Sequence, residues 1–198
     1  MKKYLIILII LLLPLNCYAS EKKEVILKSC IDGDTSNFIM NKKEIKVRFL
    51  AIDTPEVKHN NIDEEPYGIE AKNFTCRKLK NAKKIELEFD NNSDKKDRYD
   101  RYLAWVFVND KLLQNEIVKN GLAEVTYLYG DYKYTDILKE SQTKAILNKK
   151  GMYSNEDISK YSTTKELKER IKNITNKYIK KIKKDIIKYL NEILKEII

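Results

Sequence analysis

Two stretches in which apolar and polar residues alternate, joined through the turn Asp32-Gly33-Asp34, constrain the fold of this chain most strongly. The stretches cover Lys23 to Ile31 and Asn37 to Leu50. A period of two is typical of β-strands with one buried face, and a glycine between two aspartates favours a tight turn. The sequence therefore predicts an antiparallel hairpin that opens the domain.

The rest of the domain alternates between helical and extended patterns. We predict helices over Tyr67 to Leu79, Leu112 to Asn120 and Ile137 to Lys150, and strands over Asn81 to Asp90, Tyr102 to Val108 and Leu122 to Tyr129. About five strands interleaved with three helices suit an α+β fold, a small closed β-barrel with packed helices, better than a βαβ sheet.

Positive charge is concentrated at the two ends of the chain. The net charge is +9, but residues 159–198 hold 12 basic against 5 acidic residues and residues 1–19 add two lysines, so residues 20–158 sum to zero. A polyanion suits the ends as a partner. The basic isoelectric point gives no reason to expect that the body of the domain attracts nucleic acid.

Glycine and histidine are too scarce for several common active sites. With five glycines the chain contains neither G-x-G-x-x-G nor G-x-x-x-x-G-K-[ST], and a single histidine excludes H-E-x-x-H and two-histidine schemes. The sequence therefore argues against nucleotide-cofactor chemistry.

Residues 1–19 have the pattern of a secretory signal, with two lysines, an apolar run and Ala19 at a plausible cleavage point. We expect export to the periplasm, the cell surface or the medium. Two alternatives stay open. The segment is short for a retained membrane anchor, and the residues before Cys17 match a lipid attachment site poorly.

Cys30 and Cys76 are the two cysteines that remain once a signal is removed. An exported protein can pair them. However, Cys30 falls in a strand pattern and Cys76 in a helix pattern, and nothing in the sequence shows that they are close. A disulfide and two separate thiols both stay open.

Residues 156–198 are rich in lysine, isoleucine and glutamate and contain neither proline nor glycine. An apolar stripe at helical spacing predicts a long amphipathic helix beyond the domain of residues 20–155. Two roles stay open for residues 159–198. Their lysines suit a tether to DNA or an anionic membrane surface, and their isoleucines suit self-association or packing on the barrel.

Carboxylates and an arginine cluster in the predicted hairpin and directly after it. Asp34 lies in the turn, Arg48 on the second stretch, and Asp53 and Glu56 in the loop that follows. Hard divalent cations prefer oxygen ligands, and a guanidinium matches a phosphate. An Asx-type turn explains an isolated D-G-D sequence more simply, but the second acidic group at the far end of the hairpin favours a shared cation site.

Six motifs in this order and spacing resemble the staphylococcal (micrococcal) nuclease family, the thermonucleases, from about Val25 to Tyr153. They are IDGDT at 31–35, RFL at 48–50, IDTPE at 52–56, YG at 67–68, DRYDR at 97–101 and YLY at 127–129. The resemblance implies an OB-type five-stranded barrel with three helices. It also implies dependence on Ca²⁺ and hydrolysis of DNA and RNA to products with 3′-phosphate ends.

The resemblance further implies a metal site and a base. Asp34 and Asp53 would bind Ca²⁺ through carboxylate oxygens and Thr54 through its backbone carbonyl, with Asp32 beside them as a turn residue. Glu56 would accept the proton of the attacking water, or would chiefly organise water and the loop.

Substrate contacts are implied in the same way. Arg48 and Arg101 would clamp the phosphate, since a guanidinium can bind two of its oxygens. Arg98, Tyr99 and Tyr127 would hold a terminal phosphate, and Tyr129 would stack on a base; these substrate-binding residues have packing as their simpler role. For Arg101 the simpler role is an ion pair with one of its two aspartate neighbours, Asp97 and Asp100.

Three features depart from the family pattern. Asp100 takes a place usually held by glycine, where its charge is expected to weaken phosphate binding by Arg101. Tyr153 replaces a tryptophan, and the tail after Asn155 has no counterpart in the parts of the family that the chain matches.

Two functions of different classes fit the chain. Because every catalytic position of the family is filled, we favour a secreted, calcium-dependent nuclease. Some relatives keep the barrel without catalysis, so the alternative is a catalytically weak module that binds nucleic acid and is tethered by its basic tail.

Overall fold

The computed structural model describes residues 21–58 and 63–155, and in the C-terminal segment residues 169, 171–173, 175–176, 179–180, 182–184 and 186–187. Strands and helices alternate along residues 21–155. The strands are β1 (Lys22–Cys30), β2 (Thr35–Met40), β3 (Lys43–Phe49), β4 (Ile52–Asp53), β5 (Ile85–Glu88), β6 (Tyr102–Val108), β7 (Lys111–Leu112) and β8 (Glu124–Val125). The helices are α1 (Gly68–Lys80), α2 (Leu113–Lys119), α3 (Thr135–Leu147) and a short 3₁₀ turn (Gly151–Tyr153).

Five of these strands close into a barrel in the order β3-β2-β1-β5-β6. Closure is achieved by β6, which pairs antiparallel with β5 and parallel with β3. The two-residue strands β4 and β8 form a separate antiparallel ladder. This architecture confirms the predicted α+β fold, an OB-type five-stranded barrel with packed helices.

The barrel interior is filled by large apolar side chains from alternate positions of the strands. Phe38, Val47, Phe49, Leu87 and Val106 are each at most 1% exposed. Small closed barrels are filled in this way because every second side chain of each strand points inward. The alternation of the sequence is thus the direct cause of the core.

The stretch from Asn37 to Leu50, predicted as one strand, forms the two strands β2 and β3. Asn41 and Lys42 lie between them with φ angles of 50° and 64°, so the chain reverses in a two-residue turn of left-handed residues. Buried apolar positions are even-numbered before this turn, as at Phe38, and odd-numbered after it, as at Ile45 and Val47. The polar run 41–44 conceals that change, and the turn lacks the glycine that usually marks it.

The extended segment predicted from Leu122 to Tyr129 is mostly irregular. Its strand, β8, is limited to two residues, because β4, with which it pairs, is equally short. Tyr127 has a φ angle of 54°, far from the negative φ angles of regular β-strands. The predicted strand Tyr102 to Val108, by contrast, is observed with the same bounds.

A disulfide joins Cys30 at the end of β1 to Cys76 on α1, with a Cα–Cα distance of 5.8 Å. This decides between the two alternatives that the sequence left open. Strand and helix are therefore linked covalently beside the Asp32-Gly33-Asp34 turn.

The predicted signal, residues 1–19 with Cys17, lies outside the described residues, as does most of the segment 156–198. The described residues of that segment are helical, and Ile179, Ile182 and Ile186 are 45%, 56% and 52% exposed. No helix of the described residues has the length and apolar character needed to cross a membrane. Export and the two roles of the tail stay predictions.

Helix α2 is attached to the barrel by the fully buried amide of Gln114. Its Nε2 donates to the Ala104 carbonyl at 3.0 Å, and its Oε1 accepts the Val106 N–H at 3.0 Å. Both partners belong to β6, the strand that closes the barrel.

Gln114→Met keeps the length of this side chain, leaves the buried Val106 N–H without the partner it has in Gln114, and leaves the Ala104 carbonyl with the Leu50 N–H. We expect the free energy of unfolding to fall by about 1–3 kcal/mol, measured by urea denaturation. Lys119→Met, at an exposed position of the same helix, is the control and should change it by about 0.5 kcal/mol or less. Equal effects of the two substitutions would contradict this role for Gln114.

Candidate active site

Asp34, Arg48 and Asp53 meet at the rim of the barrel. Arg48 Nη2 donates to Asp53 Oδ1 at 2.6 Å, and Arg48 Nη1 lies 2.5 Å from Asp34 Oδ2. The Nη1 contact is an ion pair rather than a well-directed hydrogen bond. One guanidinium group therefore bridges Asp34, in the turn after β1, and Asp53, in β4.

The carboxylate of Asp34 is held by four groups in all. Besides Arg48, it accepts hydrogen bonds from the Thr54 N–H at 2.9 Å, from Thr54 Oγ1 at 3.1 Å and from Thr35 Oγ1 at 3.0 Å. Its side chain is only 7% exposed. A buried carboxylate needs such partners, because an unpaired charge away from water is strongly disfavoured.

Tyr127 covers the other carboxylate. Its Oη donates to Asp53 Oδ2 at 3.4 Å, and the guanidinium carbon of Arg48 lies 5.8 Å from its ring centroid. The ladder of β4 and β8, which pairs Asp53 with Glu124, brings this late segment of the chain to the site. Asp53 keeps 40% of its side chain exposed and is thus accessible to a ligand.

Glu56 is positioned through its backbone, while its side chain is exposed. The Glu56 N–H donates to Glu65 Oε2 at 3.0 Å, and the Glu56 carbonyl accepts the Glu65 N–H at 2.9 Å. A Cβ atom at Gly68 would lie 2.2 Å from the Glu56 carbonyl oxygen, so only glycine allows α1 to begin here. Glu65 carries no motif that would have identified it from the sequence.

The pKa values of the acidic residues show that they share one electrostatic field. Partial burial raises the pKa of Glu56, and the charges of Asp34 and Asp53 add to this effect. Burial also raises the pKa of Asp53, which the charge of Arg48 partly offsets. Burial and the charge of Asp34 raise the pKa of Asp32 to about 7. This concentration of carboxylates favours a bound cation.

The donors available at the cluster are oxygen atoms. They comprise the carboxylates of Asp34 and Asp53 and the backbone carbonyl of Thr54, and together they fit a hard divalent cation such as Ca²⁺. Within residues 21–58 and 63–155, no three Asp, Glu, His or Cys side chains are grouped closely enough to hold a metal ion by themselves. A cation here would therefore complete its coordination with backbone oxygens and water.

A second cluster of predicted site residues lies in the loop before β6 and is organised by Asp97. Arg101 Nε donates to Asp97 Oδ2 at 2.6 Å, and Asp97 Oδ1 accepts the N–H groups of Tyr99 at 2.9 Å and Arg101 at 3.0 Å. The Tyr99 ring is 63% exposed, and the guanidinium carbons of Arg98 and Arg101 lie 4.8 and 5.4 Å from its centroid. The carboxylate partner of Arg101 is thus Asp97, and its phosphate contact stays a prediction.

The rings of Tyr127 and Tyr129 are neighbours, with centroids 6.4 Å apart and planes inclined by 33°. The strand predicted over Leu122 to Tyr129 does not reach these two residues, and the irregular backbone after β8 brings their rings together. Tyr129 is 85% exposed. An exposed tyrosine beside the acidic cluster is available for stacking on a base.

Residues 46–155 match the family model of the Staphylococcal nuclease homologues, which is more than half of the chain. The chain belongs to the staphylococcal nuclease family. It is 40% identical over 138 residues to Endonuclease YncB of Bacillus subtilis (strain 168), covering 68% of this chain and 64% of that protein. It is 39% identical over 135 residues to the SPbeta prophage-derived endonuclease YokF of the same strain, covering 68% and 45%.

Among the thermonucleases, the protein of Staphylococcus hyicus is 38% identical over 125 residues, covering 63% of this chain and 72% of that protein. The chain thus spans less than two thirds of the two Bacillus relatives and more than two thirds of the staphylococcal one. The family match at residues 46–155 includes Arg48, Asp53 and Glu56 and the strands β5 and β6 of the barrel.

Two departures from the staphylococcal nuclease pattern now have a structural description. Asp100 has a φ angle of 61°, which explains why glycine suits this position, and its carboxylate pairs with Lys96 at 2.7 Å. Its effect on phosphate binding stays a prediction. Tyr153 is 1% exposed and packs in a small cluster with Ala145 and Ile146.

The stability that Asp97 contributes through the loop before β6 depends on pH. Partial burial acts to raise the pKa of Asp97, but hydrogen bonds from Arg101 and from the Tyr99 N–H outweigh it, so this pKa lies below the ordinary value of 3.8. A carboxyl group of this kind stabilises the fold above the pKa of the unfolded chain. The contribution is lost as the pH falls through the lower pKa of the folded state.

We expect Asp97→Asn to lower the free energy of unfolding by about 1 kcal/mol at neutral pH, and the difference to shrink as the pH falls below the ordinary aspartate pKa of 3.8. Urea denaturation across this pH range measures it. Asp94→Asn, at an exposed position of the same loop, should have little effect at any pH. A difference for Asp97→Asn that does not change with pH would show that its charge is not involved.

Proposed function

We propose that this protein is an exported, calcium-dependent nuclease that hydrolyses phosphodiester bonds in DNA and RNA. The observation that carries the proposal is the contact of Arg48 with both Asp34 and Asp53. It unites a carboxylate pair suited to a cation and a guanidinium suited to a phosphate. The relatives named endonuclease and thermonuclease support the same activity.

A divalent cation held by Asp34, Asp53 and the Thr54 carbonyl would offset the negative charge of the scissile phosphate. Asp34 is the fixed partner, because Thr35 and Thr54 hold its carboxylate in place. Asp53, which is more exposed, is the partner that a ligand reaches from solvent.

Arg48 offers the phosphate a donor set of the right shape. Its two terminal nitrogens are directed at carboxylate oxygens, and phosphate oxygens are acceptors of similar charge and geometry. Placed on the phosphate, the guanidinium stabilises the charge that develops on the phosphoryl oxygens in the transition state. Arg101, oriented by Asp97, is the second candidate for this task.

Glu56 is the candidate base for the attacking water. Its raised pKa makes the ionised carboxylate a better proton acceptor near neutral pH than an ordinary glutamate. The contacts with Glu65 and the start of α1 fix the backbone of Glu56, and its carboxylate stays exposed. Tyr127, Tyr129, Tyr99 and Arg98 are the proposed substrate-binding residues.

Export is supported by two features. Residues 1–19 have the composition of a signal, and the Cys30–Cys76 disulfide suits an oxidising compartment.

Cleavage should depend on calcium. With purified mature protein we expect single-stranded DNA, duplex DNA and RNA to be cut in Ca²⁺, and cutting to stop when a chelator removes the ion. The products should accept a 5′-labelling reaction and carry 3′-phosphate ends. Nucleic-acid binding without any calcium-stimulated cleavage would instead support the binding module.

Arg48→Lys and Glu56→Gln should each reduce turnover on the order of 10²-fold or more, because a lysine cannot bind two oxygens and a glutamine cannot accept the proton. Arg77→Lys, at an exposed position of α1, is the conservative control and should leave turnover unchanged. Fluorescence of the buried Trp105 reports whether each variant is folded. Near-normal turnover of either site variant would refute the role assigned to that residue.

A further inference from the structure

Helix α1 is attached to the acidic turn at two consecutive residues. Thr75 Oγ1 donates to the Gly33 carbonyl at 2.6 Å, and Cys76 forms the disulfide with Cys30. Thr75 is completely buried, so its hydroxyl has no water to bond with in place of Gly33. The two attachments enclose the residues that lead into Asp34.

The opposite side of the turn is in close contact with Thr54. A Cβ atom at Gly33 would lie 2.7 Å from Thr54 Oγ1 and 2.8 Å from the Thr54 methyl carbon. Gly33 is therefore enclosed between Thr75 and Thr54. Since Thr54 also donates two hydrogen bonds to Asp34 Oδ2, a movement of Gly33 would displace the Asp34 carboxylate from its partners.

The same helix begins in contact with the loop that carries Glu56. Gly68, its first residue, is packed on the Glu56 carbonyl, and Thr75 follows seven residues later, about 10 Å along the helix axis. One rigid element thus sets the position of both the Asp34 turn and the Glu56 loop. The Thr75 hydrogen bond and the Cys30–Cys76 disulfide are both uncharged, so they do not alter the electrostatic field of the carboxylates.

The attachments of α1 act against electrostatic repulsion among the aspartates. Asp32, Asp34 and Asp53 are close enough for the charge of Asp34 to raise the pKa of the other two. Like charges in a partly buried site repel one another, and this repulsion is largest when no cation is bound. Without the attachments of α1, only Arg48, Thr35 and Thr54 oppose this repulsion at Asp34.

We propose that Thr75 and the Cys30–Cys76 disulfide are positioning groups for Asp34, so that the cation affinity of the site is high only when the disulfide is formed. This inference rests on the proposed function and adds a redox dependence to it. A nuclease of this kind is weak in the reducing cytoplasm, where nucleic acids of the producing cell are exposed to it, and reaches full activity after export.

Reduction is a two-electron step. A dithiol such as dithiothreitol supplies two electrons and two protons, the bond between Cys30 Sγ and Cys76 Sγ breaks to give two thiols, and the reductant closes to its own cyclic disulfide. The double variant Cys30→Ser/Cys76→Ser lacks this bond from the outset and serves as the control for side effects of the reductant.

Three variants separate the hydroxyl from the bulk of the side chain. Thr75→Val removes the hydrogen bond and keeps the shape, and Thr75→Ser keeps the hydroxyl. Thr143→Val removes a buried hydroxyl whose partner is the Lys139 carbonyl on α3, and it is the control for loss of a buried hydroxyl elsewhere.

Cation affinity is measured by calcium titration of the thermal midpoint and, independently, of DNA cleavage. We expect the half-saturating Ca²⁺ concentration to rise about tenfold in Thr75→Val, in the double serine variant and in the reduced protein. Thr75→Ser and Thr143→Val should stay within about twofold of the parent protein. Turnover at saturating Ca²⁺ should recover, because the catalytic side chains are intact.

Amide hydrogen exchange without calcium gives a readout that does not depend on activity. Peptides that contain residues 31–35 should exchange faster after reduction or in Thr75→Val, while β6 peptides keep the rate of the parent. Unchanged exchange at 31–35 both in the reduced protein and in Thr75→Val, or an increase of equal size in β6, would overturn the proposal. So would faster exchange with an unaltered calcium titration, which would make the attachments purely structural. Failure of the oxidised parent to cleave DNA would instead reject the proposed function, and the exchange result would still decide whether the helix positions the turn.

Discussion

The ion pair between Asp34 and Arg48 is the interaction on which the site depends. Both side chains are largely buried, with 7% and 11% of their surface exposed, and removing one partner of a buried pair leaves a charge that the interior disfavours by several kcal/mol. The pairing of Thr35 with Arg48 across β2 and β3 places the two charges side by side. The register of the barrel therefore fixes the centre of the site before any ligand is present.

Three separate parts of the fold complete this centre. The barrel supplies Asp34 and Arg48, the small ladder of β4 and β8 adds Asp53 and Tyr127, and helix α1 fixes the backbone at Gly33 and at Glu56. Contacts between the parts join them: Arg48 pairs with Asp53, Thr54 donates to Asp34, and Thr75 donates to the Gly33 carbonyl. The site is consequently rigid where it binds the buried carboxylate and open where Asp53, Tyr127 and Tyr129 face solvent, as a site for a long polymer requires.

Residue patterns predicted the parts of the fold in which local and global preferences agree. The strand from Tyr102 to Val108 was correct to the residue, because an apolar run ends in the turn-forming pair Asn109-Asp110. The turn at 41–42 was missed, since a polar run conceals the change of buried positions. The family motifs indicated Asp34, Arg48 and Asp53 together. The roles of Thr75, Glu65 and the Cys30–Cys76 pair follow only from tertiary contacts, which no spacing along the chain encodes.

Asp53 and its hydrogen-bond partner Tyr127 are far apart along the chain, and this separation has a consequence for biosynthesis. Tyr127 lies 74 residues after Asp53, and β6, which closes the barrel, is also formed from the later half of the domain. A nascent chain that stops before β6 holds Asp34, Arg48 and Asp53 but lacks the strand that closes the barrel beside them. The acidic cluster is therefore complete only after the later half of the domain has been synthesised.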